Sequence, residues 1–142
     1  MLFESISTIS AGLFAGAALY ITFVEHPARM EGGSELALAE FAPSYRRATV
    51  MQATLAGIGS VSSLAVWWIN SDRWWLVGGL ILGSVIPFTL IIILPTNKRL
   101  LDPALEPRTE MASKLLTRWA KLHGVRTVLS LVAFLIFVWC LL

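Results

Sequence analysis

Four stretches of this chain contain no aspartate, glutamate, lysine or arginine: residues 5–24, 48–71, 74–97 and 127–142. Together they hold 84 uncharged residues, while the other 58 carry all 20 charged side chains. A helix needs about 20 mainly apolar residues to cross a hydrocarbon layer roughly 30 Å thick. The pattern predicts an all-α protein, a four-transmembrane-helix antiparallel bundle forming one membrane domain over residues 1–142. Its helices are expected at about 5–24, 48–69, 74–94 and 123–142. The last charge-free run is short, so the fourth helix must start upstream near His123, or Arg126 must snorkel to the interface. Charged residues make up 14% of the chain and hydrophobic ones 56%; a soluble domain has about 25% charged. That balance excludes a soluble enzyme, a disordered segment and a nucleic-acid binder; the expected partner is the lipid bilayer.

The first segment contains Ala15-Gly16-Ala17, which imitates a cleavage site, but its leader has no basic residue and its apolar run continues to Val24. It is expected to be a retained helix. Basic residues divide sharply. Arg29, Arg46 and Arg47 lie between the first two segments, seven more lie between Lys98 and Arg126, and Arg73 stands alone on the other side. The positive-inside rule then puts both long loops in the cytoplasm and both termini outside, as for a bacterial-type inner membrane. The loops are expected to carry short amphipathic helices at Ser34–Phe41, with Ser34 as N-cap, and at Glu110–Leu122, the latter able to run into the fourth helix.

Asn70-Ser71-Asp72-Arg73 is short enough to force a hairpin, and Trp67, Trp68, Trp74, Trp75 and Trp139 are expected to form an aromatic belt at that end. Gly12 and Gly16, Gly57 and Gly59, and Gly79 and Gly83 suit close helix packing, either as a seam inside one bundle or as a homo-oligomer interface. Pro87 is expected to kink the third helix. Cys140 has no intrachain partner and reads as a small hydrophobe. Pro27-Ala28-Arg29 and Pro95-Thr96-Asn97 end the odd helices, and an arginine precedes Thr-Val in both even ones (Thr49-Val50, Thr127-Val128). A duplicated hairpin leaves such a trace, and two apolar hairpins can also share it by chance.

Hydropathy does not explain the polar groups gathered at the basic ends of all four helices. They are Glu25, His26 and Arg29; Tyr45, Arg46, Arg47 and Gln52; Asn97; and Trp119, His123 and Arg126. Trp119, His123 and Arg126 are four and three apart, hence on one helical stripe that Thr127 and Ser130 continue. Polar groups at this depth face a bundle interior or a wet cavity, because facing lipid is costly. Each has a structural alternative: His26 can cap a helix, Arg46, Arg47 and Arg126 can anchor to headgroups, Asn97 can sit in a turn, and Gln52 can join helices. Glu25, His26 and His123 resemble a two-histidine-one-carboxylate metal face, but they show no ligand spacing and lie on separate elements, so no metal is expected. No dinucleotide, P-loop, CxxC or nucleophile-elbow motif is present, and no cofactor is expected.

The glycine-rich first helix ending in EHPAR (25–29), FAPSYRRATVMQA (41–53), PTN (95–97) and RWAKLHGVR (118–126) resemble the anthrone-oxygenase-like family of small four-helix membrane proteins. The resemblance implies oxidation of a lipophilic aromatic, anthrone- or hydroquinone-like, by molecular oxygen without a cofactor. On that reading His26 or His123 is the base, Arg126 and Asn97 complete the catalytic set, and Trp119, Arg47, Gln52, Tyr45 and Arg29 contact the substrate. The alternatives are a non-catalytic carrier of a hydrophobic ligand and an accessory membrane subunit.

Overall fold

The computed structural model describes residues 1–142 and is all helical, with no strands. Four rods account for it: α1 (Leu2–Glu31), α2 (Gly33–Asn70), α3 (Arg73–Leu100) and α4 (Glu110–Leu141), each long and apolar enough to cross a membrane. Each packs against its two neighbours in a closed square, α1 against α2 and α4, and α3 against α2 and α4. Between the polar ends, large apolar side chains are exposed, among them Phe23, Val50, Val61 and Ile91. A water-soluble surface does not present such a coat. This is a multi-pass membrane protein.

The rods overrun the charge-free runs because prolines do not end them. Pro27 and Pro95 lack the N–H that a helix needs, and their rings crowd the carbonyl four residues back. In each case the turn just before the proline widens to a π-helix, Ile21–Glu25 in α1 and Thr89–Ile93 in α3. The His26 N–H bonds to the Ile21 carbonyl and the Leu94 N–H to that of Thr89, five residues back. Such wide turns relieve the crowding and recur at functional sites. Pro87 lies inside α3 just before the second wide turn.

The loop helices need correction. Ser34–Phe41 is not a separate amphipathic helix but the opening of the 38-residue α2, which passes through Pro43 unbroken. Ser34 does not cap it; its hydroxyl donates to the Pro107 carbonyl at 2.6 Å, and Arg108 donates to Glu35 at 2.8 Å, tying the α3–α4 loop to the start of α2. The reversal from α1 takes only Gly32 and Gly33, the latter at φ +86°, a conformation open to glycine. Glu110–Leu122 does run into α4 without a break, capped by the Thr109 hydroxyl. At the other end, Asp72 caps α3 by accepting from the Trp74 N–H.

Close packing at the tryptophan end uses the small residues. A Cβ on Gly79 would strike Ser63, one on Gly78 would strike Phe137, and one on Gly59 would come within 2.7 Å of Leu82. Gly12 is similarly closed by Phe134, whereas Gly16 and Gly57 face open space. Trp68 and Trp139 are exposed, as an interfacial belt requires, but Trp75 is buried and stacks on Phe137 at 5.1 Å, so it belongs to the core. A second apolar cluster, built on Phe41, Ile93, Leu116 and Trp119, closes the basic end. The polar groups lie between these two plugs.

Candidate functional site

Regular α-helix from Glu110 onward keeps the α4 stripe on one face, and it turns inward: Trp119, His123, Thr127 and Ser130 are all buried. Three α2 turns opposite contribute Phe41, Tyr45, Ala48 and Gln52, spaced four, three and four apart and therefore also on one face. The α1 and α3 ends supply Arg29 and Asn97 just after their prolines. Together they enclose a cavity of about 20 Å³, room for one water molecule.

The polar groups around it are incompletely partnered. Arg126 donates to the Gln52 Oε1 at 2.6 Å and lies 5.5 Å over the Phe14 ring, with no carboxylate on it. Its Nε, the Gln52 Nε2 and the Asn97 Oδ1 are buried without a hydrogen-bond partner, although Gln52 and Asn97 are only 2% and 1% exposed. A buried polar atom left unpaired costs about 1–3 kcal/mol, and with the Arg29 Nε, also unpaired, four such atoms belong to the wall of one void, a cost that a water molecule or ligand there would relieve. The Nη2 of Arg29, unlike its Nε, is partnered. It pairs with Glu25 and also reaches the Ser44 hydroxyl at 3.3 Å, and that hydroxyl donates to Glu25 at 2.7 Å.

His123 is held from α1. Its Nδ1 lies 3.1 Å from the Thr22 Oγ1, which is 2.8 Å from the Thr127 Oγ1. Thr127 in turn contacts the carbonyls of Ala18 at 3.3 Å and His123 at 3.2 Å. Thr22 reaches this position from inside the first π turn. Both imidazoles pack against the Trp119 indole, His123 at 4.8 Å and nearly parallel, His26 at 5.3 Å and tilted.

The structure thus brings together seven of the nine sequence-derived site residues: His123, Arg126, Asn97, Trp119, Gln52, Tyr45 and Arg29 line the cavity. Two do not. His26 is buried beside Trp119 but contributes nothing to the cavity wall, and its Nδ1 has no partner. Arg47 lies one position off the inward stripe and points to an outer groove shared with Glu25 and Glu40. Sequence reasoning passed over Ser44 and Thr22. Ser44 follows from the spacing that also selects Ala48 and Gln52, whereas the π turn that delivers Thr22 leaves no signal in hydropathy. No group of three or more His, Cys, Asp or Glu side chains is assembled anywhere.

The sequence profile of the anthrone oxygenase family matches residues 41–136, from the first inward residue of α2 to beyond the inward stripe of α4. The chain belongs to the anthrone oxygenase family. No curated protein and no solved structure matches it.

Proposed function

We propose that this anthrone oxygenase relative oxidises a lipophilic aromatic carrying an acidic C–H or O–H, an anthrone or a hydroquinone, directly with molecular oxygen. The observation that carries the reading is the meeting of an imidazole, an unpaired guanidinium and a carboxamide around one enclosed void. His123 is the base. Thr127 donates to a carbonyl, Thr22 donates to Thr127, and Thr22 accepts from the His123 Nδ1–H; this arrangement gives each hydroxyl hydrogen an acceptor and leaves the lone pair on Nε2. Arg126 and Asn97 stand where a developing oxyanion would be held. With an anthrone, His123 takes a proton from the ring CH₂ and the enolate carbon adds O₂. The proton returns to give a hydroperoxide, and loss of water breaks the O–O bond and leaves the second carbonyl. With a hydroquinone, two electrons and two protons pass to O₂, giving quinone and hydrogen peroxide.

A 20 Å³ void admits neither compound as it stands, so α3, which carries a wide turn beside the site, moves to admit substrate. Residues 1–142 work as one membrane unit, the site lying near the cytoplasmic face with both termini outside, the orientation that the loop charges favour. Oxygen uptake by the purified protein with an anthrone, followed by the quinone absorption, tests the reading. Uptake above the spontaneous rate that falls at least a hundredfold in a folded His123→Ala variant supports it. No uptake by the wild type, or full activity in a His26→Ala/His123→Ala double variant, overturns it.

A further inference from the structure

The cavity has a neighbour. A crevice of about 90 Å³ runs between α2 and α3, and Thr49, Gln52 and Arg126 line both voids. Phe14, Ala56 and Val85 form its buried floor, while Ala53, Ile86 and Leu90 form an exposed mouth. The packing accounts for the gap. Helices α2 and α3 touch closely only toward the tryptophan end, where Gly79 and Gly83 meet Ser63 and Ser60. Beyond Pro87 the α3 backbone widens into its π turn, and α2 puts the small side chains of Ala53 and Ala56 opposite. The crevice spans residues 49–56 of α2, about 10 Å of helix at 1.5 Å per residue, at a depth where the rest of the surface faces lipid.

We infer that this crevice is the binding channel for an amphiphilic substrate, a single phenol- or hydroquinone-type ring bearing a long alkyl or isoprenoid tail. The ring oxygen sits against Arg126 and Gln52, and the tail lies between α2 and α3 and continues into the bilayer. The inference rests on the oxidative reading above and names its substrate class. Three observations select it. The inner end holds an uncompensated cation and the unpaired Gln52 Nε2, donors suited to a phenolate or phenol oxygen. Both voids are far smaller than the roughly 300–1,000 Å³ of a ligand pocket, so a rigid fused tricycle needs the helices forced apart. One ring with its tail left in lipid needs only the head accommodated. Two of the larger outer grooves fit less well: that between α1 and α2 sets Glu25 and Glu40 against the exposed Arg47, so its lining is net negative where an oxyanion would sit. That between α1 and α4 has a cation only in the solvent-exposed Lys121, and its inner wall ends on Thr22 and Thr127, which already satisfy each other.

Photolabelling of the full chain in lipid nanodiscs, without oxygen, tests this independently of turnover. The probe is a hydroquinone with a ten-carbon tail ending in a diazirine, competed with unlabelled decylhydroquinone. Competable adducts are expected on residues 53–57 and 86–90, with capture reduced about tenfold in Ala53→Phe, which plugs the mouth without touching the polar groups, and in Arg126→Leu. Competable adducts confined to the α1–α2 or α1–α4 groove, or undiminished capture in Ala53→Phe, overturn the inference. The two readings fail separately. Specific labelling with no oxidation on admitting oxygen leaves the channel standing and removes the oxidase. Anthrone oxidation with the same KM in wild type and Ala53→Phe does the reverse.

Discussion

Thr22→Val separates positioning from binding at the candidate base. The substitution keeps the shape of the side chain and removes one hydroxyl, breaking the 3.1 Å contact to the His123 Nδ1 and the 2.8 Å contact to Thr127. Thr127 retains its two carbonyl acceptors, so the loss falls on the imidazole. A neutral hydrogen bond contributes about 1 kcal/mol net in water-soluble proteins and an interhelical one in a membrane roughly 0.6. Stability in detergent should therefore fall by under about 1 kcal/mol. The rate should fall more. At 1.36 kcal/mol per decade the lost orientation alone costs about threefold to fivefold, and releasing the tautomer adds a factor of about two, giving a kcat about six- to tenfold lower. Thr22 does not line the cavity, so KM should stay within a factor of two. Steady-state oxygen uptake gives both constants, Thr22→Ser should restore kcat, and the ¹⁵N shifts of His123 should report Nδ1 protonated in the wild type. A raised KM with unchanged kcat, or an Nδ1 without its proton, would refute the hydrogen-bond chain.

Other consequences are as direct. Gln52→Leu removes the side-chain acceptor of Arg126 and should cost about 1–2 kcal/mol in chemical unfolding, more than a neutral interhelical hydrogen bond because a charge is stranded. Adding Arg126→Leu should recover most of that loss, since removing both partners spares the desolvation that removing one exposes. Gly79→Ala puts a methyl against the Ser63 side chain, whereas Gly57→Ala meets open space. The first should lower the thermal midpoint, at a cost of about 1–3 kcal/mol, while the second should leave it unchanged or raise it. In a Cys140→Ser background, a cysteine at Ser71 should react with an impermeant maleimide added outside intact cells, and one at Glu106 only after lysis. The opposite pattern would invert the topology.

The number of helices was legible because lipid imposes a composition that no other solvent demands, and four charge-free runs leave little choice. Their ends were not. Pro27 and Pro95 carry the breaking signal that ends helices in water, but a π turn absorbs each of them and the chain continues to Glu31 and Leu100. The same turns explain which site residues could be read. On α4 the backbone is regular, so a spacing of four and three placed Trp119, His123 and Arg126 together. On α1 the wide turn shifts the register before His26, turning that ring against Trp119 and sending Thr22 to His123 instead. Arg47 lies off the cavity wall for a simpler reason: charge drew attention to it, while helical spacing from Gln52 selects Ala48, Tyr45 and Phe41 and leaves Arg47 outside.

The internal repetition takes on meaning at the cavity. The two π turns sit at equivalent positions before Pro27 and Pro95, and two residues beyond each proline lie Arg29 and Asn97, both on the cavity wall. On the even helices, aligning Thr49 with Thr127 pairs Phe41 with Trp119 and Tyr45 with His123, all four again on that wall. A duplicated hairpin would place equivalent residues around one central axis, and it would have to be differentiated to make a directional site. The first π turn supplies Thr22, which holds the imidazole; its equivalent in the second is Leu90, at the mouth of the crevice. One half of the frame thus orients an imidazole where the other carries a phenol and opens toward lipid, so the crevice reaches the polar cavity from α2 and α3 while His123 is fixed from α1 and α4.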